Sequence, residues 1–181
     1  VLKDKKVMVI SGLALGTDGN AHAEAIKNNI PTMGVLAHGL HLIYPSQHKK
    51  MAQEIIEKNG ALITEFNSTH KPDREHFLQR NRIIAGLSTA TIVVETAFGG
   101  GSISTATYAN LYNRDVFALP GKITDKYSQG CNHLIFQNKS SAISTIKDLF
   151  ESLNFNEQKE IIPSLFSPQD FSLTLNPNQK L

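Results

Sequence analysis

Apolar residues along this chain follow two alternating patterns: short uninterrupted runs, and longer stretches in which they recur every three or four positions. A short run closed by turn-forming residues reads as a strand buried on both faces, and the longer period reads as a helix packed on one side. Residues 7–10 therefore predict a first strand, stopped by Ser11 and Gly12. A helix follows, capped by Thr17 or Asp18, carried by Ala21, Ala25 and Ile26, and ended by Asn28, Asn29 and Pro31. Further strands are expected at 32–37, 61–64, 90–94 and 115–119, and further helices at 49–58, 77–87 and 103–112. Polar residues from 65 to 75 read as a surface loop, and shorter helices are expected at 131–137 and 144–153.

Strands alternating with helices through short loops imply an α/β fold with a Rossmann-like, doubly wound, mainly parallel sheet. Ligands of such sheets sit beyond the carboxyl ends of the strands, so function belongs in the loops at 11–18, 37–46, 65–76, 95–102 and 120–130. Past Phe155 the pattern fades, and Pro163, Pro168 and Pro177 stand among many Asn, Ser and Gln. The organisation expected is one domain over 1–154 and a tail or linker over 155–181.

Composition narrows the function. A chain of 181 residues with 40% hydrophobic positions builds one sizeable core. No apolar stretch is long enough to span a membrane, and no signal sequence precedes the first strand, so membrane partners are excluded and a cytoplasmic protein is expected. Cys131 stands alone and forms no intrachain disulfide or zinc knuckle. The net charge is only +2, so any polyanion site must be local. Three of the four arginines, Arg74, Arg80 and Arg82, do lie within nine positions.

Three segments carry candidate chemistry. Gly12 and Gly16 belong to a strand-to-helix turn, where missing side chains let a phosphate approach backbone N–H groups at a helix N-terminus. The turn lacks the third glycine of a dinucleotide fingerprint. Gly99, Gly100, Gly101 and Ser102 form a second such turn, with the Ser102 hydroxyl as expected cap, but no Lys follows as in a phosphate-binding P-loop. No His is placed to activate Ser102, and no catalytic residue is assigned. The third segment, 71–82, gathers Lys71, Arg74, Arg80 and Arg82 with Phe77, and on a helix Phe77, Arg80, Asn81 and Ile84 share one face. Guanidinium groups fork onto phosphates and an aromatic ring stacks on bases, which suits single-stranded nucleic acid; the competing reading has Phe77 in the core and Arg82 paired with a carboxylate. His38, His41 and His48 lack further ligands at metal-binding spacing, so no metal or cofactor is expected. Glu95 is expected to satisfy donors in the adjacent glycine turn.

Read together, S-G-L-A-x-G-x-D-x-x-A-H, H-G-L-x-x-I-Y-P-S, R-N-R-I-I-A-G-L-S, F-A-L-P-G and G-C-N-x-L-I closely resemble the DprA/Smf family of DNA-processing proteins over residues 7–135. The resemblance implies a dimeric Rossmann-like domain that binds and protects single-stranded DNA and helps load RecA in natural transformation. It makes Phe77 a base-contacting aromatic, Arg74 a nearby basic ligand, and Arg80, Asn81 and Arg82 the R-N-R motif, with Gly12, Gly16, Gly100, Gly101 and Ser102 along the phosphate path. Three departures stand out. Family members usually carry an upstream strand ending in Gly-Ser-Arg, central in the sheet; this sequence starts after it, so the expectation is a fragment, a rearranged sheet or completion by another copy, with weakened DNA binding. Leu15 replaces a residue that is often basic, and the winged-helix-like C-terminal domain of many members is missing or cut at the polar tail. The alternative is a nucleotide-binding Rossmann protein related to LOG-type phosphoribohydrolases, an enzyme or a nucleotide sensor. Ser104 and Thr105 stand where those enzymes keep a catalytic Glu, which argues against it.

Overall fold

A computed structural model describes residues 5–155; the expected tail beyond Phe155 lies outside the described residues. The elements run β1 (Val9–Ser11), α1 (Thr17–Lys27), β2 (Thr32–Val35), a 3-10 turn (Ser46–His48), α2 (Lys49–Glu57), β3 (Ala61–Ile63), α3 (Arg74–Leu87), β4 (Ala90–Val93), α4 (Gly101–Leu111), β5 (Asp115–Ala118), α5 (Gln129–Phe136), β6 (Ser141–Ala142) and α6 (Ile146–Ser152). The expected β-α alternation holds. Two details differ. The two-residue β6 has no apolar run to announce it, and α3 begins at Arg74, three positions before Phe77, because Asp73 accepts the N–H of Glu75 at 2.9 Å and caps the helix inside the polar stretch.

All strand pairs are parallel, but they form two sheets rather than one, β1-β2-β3 and β4-β5-β6. The break falls between β1 and β4, which are neighbours in the order of a doubly wound sheet but do not pair here. Each sheet has its own core. Leu13, Leu36, Ala52 and Ile55 pack beneath the first, whereas Ala85, Val93, Ala106, Ala109, Val116, Ala118, Cys131 and Leu134 pack beneath the second. The small residues of α4 let it lie close against α3, which also touches β1 and β2.

Five helices stop by one device. Asn29, Asn59, Asn113, Asn138 and Asn154 sit just past α1, α2, α4, α5 and α6 with φ between 52° and 61°. The next N–H in each case bonds the carbonyl five residues back: Ile30 to Ala25, Gly60 to Ile55, Arg114 to Ala109, Lys139 to Leu134 and Phe155 to Phe150. Asn tolerates the left-handed conformation that reverses the chain out of a helix, so these residues set where each following strand or segment begins.

Among the described residues no strand joins the sheets, and adjacent residues of α3 connect them. The buried Arg80 guanidinium donates through Nη1 to the carbonyls of Gly12, at 2.8 Å, and Val35, at the carboxyl ends of β1 and β2. Asn81 Nδ2 donates to Ser104 Oγ at 2.8 Å and to Gly101 O at 3.3 Å, at the start of α4. Arg80 Nε donates to Asn81 Oδ1 at 3.2 Å, which couples the two grips.

Cys131 is fully buried in the second core with Sγ 3.6 Å from Val93 O, and burial pushes its thiol above the usual range. A thiol reagent should therefore label Cys131 only as that core opens. In rising denaturant, the labelling rate should follow unfolding measured by circular dichroism.

Candidate nucleic-acid interface

Parallel strands bring the two glycine turns to the same edge, and a hydrogen bond ties them. Thr17 Oγ1, at the start of α1, donates to Glu95 Oε1, just past β4, at 2.7 Å. The expectation that Glu95 serves its own glycine turn is thus corrected, since its carboxylate reaches the other one.

In the first turn, Gly12 is buried and its peptide is engaged on both sides. Its N–H donates to Asp18 Oδ2 at 2.7 Å, and its carbonyl takes Arg80. Ser11 Oγ donates to the same Asp18 oxygen at 2.7 Å, so Asp18 braces the turn from inside α1. A Cβ on Gly12 would lie 2.5 Å from Arg80 Nη1, which explains the glycine. Leu13 adopts φ 57° with its side chain wholly buried, so core packing offsets an unfavourable backbone conformation at the turn. Gly16, not Thr17 or Asp18, is the N-cap of α1, with φ 83° and no side-chain cap. The second turn is similar: Gly100 is the N-cap of α4, no side chain caps it, and Ser102 occupies the second helical position instead of the expected cap. Two helix N-termini therefore stand side by side without side-chain caps, each a place where backbone N–H groups and the helix dipole favour an anion.

The arginine-rich segment divides in two. Lys71 and Arg74 are exposed at the outer end of α3, where they line a shallow cleft with Tyr44, Pro72, Asp73 and Phe77. The Phe77 ring is half-buried, with its centre 5.9 Å from Tyr44 and 5.5 Å from the guanidinium carbon of Arg80. Arg80 and Asn81 point inward. Burial pulls the Arg80 pKa below its ordinary value and Asp18 works against that; an arginine keeps its charge in such a place. Arg82 turns aside and pairs with Glu65 through a short contact between Nη2 and Oε2. Sequence reasoning overlooked Tyr44 and the bracing role of Asp18. An aromatic next to Pro45 in a loop after a strand was the available signal for the first.

The histidines are accounted for individually. Buried His38 places Nδ1 2.9 Å from Gly39 O while Nε2 accepts the Tyr44 N–H at 3.3 Å, His48 Nδ1 lies 2.9 Å from Leu13 O, and His41 is exposed. Among the described residues no three His, Cys, Asp or Glu side chains cluster as metal ligands. No helix there is long and apolar enough to cross a membrane.

The fold and edge define a Rossmann-like domain with paired glycine turns beside an aromatic, basic cleft. Residues 1–154 match the family described as DNA recombination-mediator protein A, and the chain belongs to that family. It is 40% identical to protein Smf of Escherichia coli over 154 residues, 85% of this chain and 41% of that protein. The crystal structure of DNA processing protein A from Streptococcus pneumoniae superposes with a TM-score of 0.74 at 36% identity, covering 83% of this chain and 52% of that one. The corresponding protein of Helicobacter pylori, described for its single-stranded DNA binding mode, superposes with a TM-score of 0.76 at 29% identity, covering 86% and 69%. The chain spans between 36% and 53% of the length of its curated relatives.

The two arginines of R-N-R should separate cleanly in stability. Arg80→Ala leaves two carbonyls without their donor and should cost about 1–3 kcal/mol for each that stays dry. Glu65→Gln removes a partly exposed pair with Arg82 and should cost less than about 1 kcal/mol. Urea denaturation of both variants checks the contrast.

Proposed function

We propose that this chain binds single-stranded DNA along the carboxyl edge of its strands, and that it acts by binding, with no reaction of its own. The observation that carries this reading is the outer end of α3, where exposed Lys71 and Arg74 flank the Phe77 and Tyr44 rings beside two helix N-termini without side-chain caps. Phosphates would be met by Lys71, Arg74 and the turns at Gly16 and Gly100 to Ser102, and a base would stack on Phe77. A duplex hides base faces from such a platform, so the single strand is preferred. Gly12, Arg80 and Asn81 act by positioning, because their polar groups are engaged within the fold. Arg82 reaches DNA only by leaving Glu65.

Family membership and the single-stranded DNA binding of the Helicobacter relative support a role in protecting incoming DNA during natural transformation. In that role two copies pair in the cytoplasm and pass the strand to RecA. Analytical ultracentrifugation tests the pairing, and RecA filament assembly on DNA coated by a competing protein tests the transfer.

Fluorescence anisotropy with labelled oligo-dT and the matching duplex tests the central claim. The single strand should bind tighter, with log K falling by ~0.7 per log salt for each neutralised phosphate. Phe77→Ala should cost about 1–3 kcal/mol of affinity. Arg74→Ala should lower the salt slope by about one phosphate. Equal affinity for duplex, or unchanged binding by a folded Phe77→Ala chain, would overturn the reading.

A further inference from the structure

Beneath the first glycine turn two buried polar atoms face each other without partners. Asp18 Oδ1 and His22 Nε2 lie 3.4 Å apart, one turn apart on α1, and neither makes a hydrogen bond. The other end of each side chain is fully used. Asp18 Oδ2 accepts from Ser11 Oγ and the Gly12 N–H, while His22 Nδ1 is 2.7 Å from Thr32 Oγ1.

The other bond of Thr32 points to one tautomer. The Thr32 hydroxyl donates its one proton to Val9 O at 2.9 Å, so toward His22 it can only accept. His22 must then carry hydrogen on Nδ1, and in the neutral ring Nε2 is left as a lone pair. It points at the lone pairs of a carboxylate in a site closed to water, an arrangement one proton converts into a charge-assisted hydrogen bond.

We infer that Asp18 and His22 form a one-proton latch on the first glycine turn, in which His22 positions Asp18, and Asp18 positions Ser11 and Gly12. When the proton is bound, Asp18 Oδ1 is held by His22 and Oδ2 is fixed on the turn. When it is lost, Oδ1 faces a lone pair and Asp18 is held from one side only. Because the Gly12 carbonyl is a seat of Arg80, the latch also bears on α3.

The surrounding charges set where the proton is taken up. Burial, the largest effect, pushes the His22 imidazolium below the usual histidine range, Asp18 pulls it back, and His48 and Arg80 push it down again. These three groups come from α1, from the 3-10 turn after β2, and from α3, and the β2 neighbour Thr32 does not titrate. The latch therefore closes below the usual histidine range rather than at neutrality.

Asp18→Asn separates this reading from a structural role. An Asn carboxamide keeps one oxygen for Ser11 and Gly12 and offers its NH2 group to Nε2, so the variant should behave as a permanently closed latch. Nitrogen NMR of the histidine rings in the unmodified chain should show an Nδ1–H tautomer for His22 at alkaline pH, passing to the doubly protonated ring only below the usual histidine range, with the Gly12 amide shifting at the same midpoint. In Asp18→Asn the Gly12 amide should no longer titrate. An Nε2–H tautomer, or a His22 transition that the Gly12 amide ignores, would overturn the latch. Should Asp18→Asn fail to fold, the titration of the unmodified chain decides alone.

The effect on ligand rests on the proposed single-stranded DNA binding. Oligo-dT affinity should rise several-fold more on acidification in the unmodified chain than in Asp18→Asn. A latch seen by NMR with identical DNA profiles would place the DNA away from the first turn and leave the latch standing.

Discussion

The arrangement depends on one buried cation. Arg80 reaches from α3 to the carbonyls of Gly12, just past β1, and Val35, at the end of β2, and among the described residues no carboxylate forms an ion pair with it. An arginine fits this position because its planar fork donates in several directions at once and holds its charge when buried, whereas a lysine offers a point charge that deprotonates more readily. Since β1 and β4 do not pair, strand hydrogen bonds cannot hold the two sheets in register. Arg80, reaching the first sheet, and Asn81, reaching the start of α4, do this instead from one face of α3, joined by the bond from Arg80 Nε to Asn81 Oδ1.

The binding edge inherits its shape from that grip. Arg80 pulls the Gly12 carbonyl inward, Asp18 takes the Gly12 N–H, and the Leu13 side chain drops into the first core at a positive φ. A turn held at three successive points presents the N-terminus of α1 in one orientation, and the Thr17–Glu95 bond aligns it with that of α4. Such preorganisation favours affinity, because little ordering is left to be done when an extended, flexible strand arrives.

Much of this was legible in the sequence, and what was missed has physical causes. Buried parallel strands announce themselves as apolar runs, so β1 to β5 were readable, and the glycines marked both turns. The split sheet was not readable from periodicity, because each strand looks the same whether or not a neighbour pairs with it. The start of α3 was hidden because Asp73 caps from within a polar run that has no apolar repeat. The orientation of R-N-R was available and not used. Phe77, Arg80, Asn81 and Ile84 share a helical face, and an Ile on that face marks it as the buried one. Reading arginine as an anion ligand by residue type overrode the position of its neighbour.

That inversion changes how mutations in this motif should be interpreted. Under the proposed reading, a residue touching DNA and a residue holding the turn beside it would both lose affinity when replaced, so binding data alone would not separate Arg80 from a DNA ligand. Their stabilities differ, because an exposed Arg74 leaves nothing buried without a partner, while Arg80 leaves two carbonyls dry. Phe77 lies between the classes, with its ring against Arg80 on one side and the open cleft on the other. Its removal acts on both quantities, and only the excess of lost affinity over lost stability measures stacking on a base. The inner half of α3 sets the geometry, and in the proposed reading the outer half would meet the ligand, so the boundary between structural and binding roles would fall at that ring.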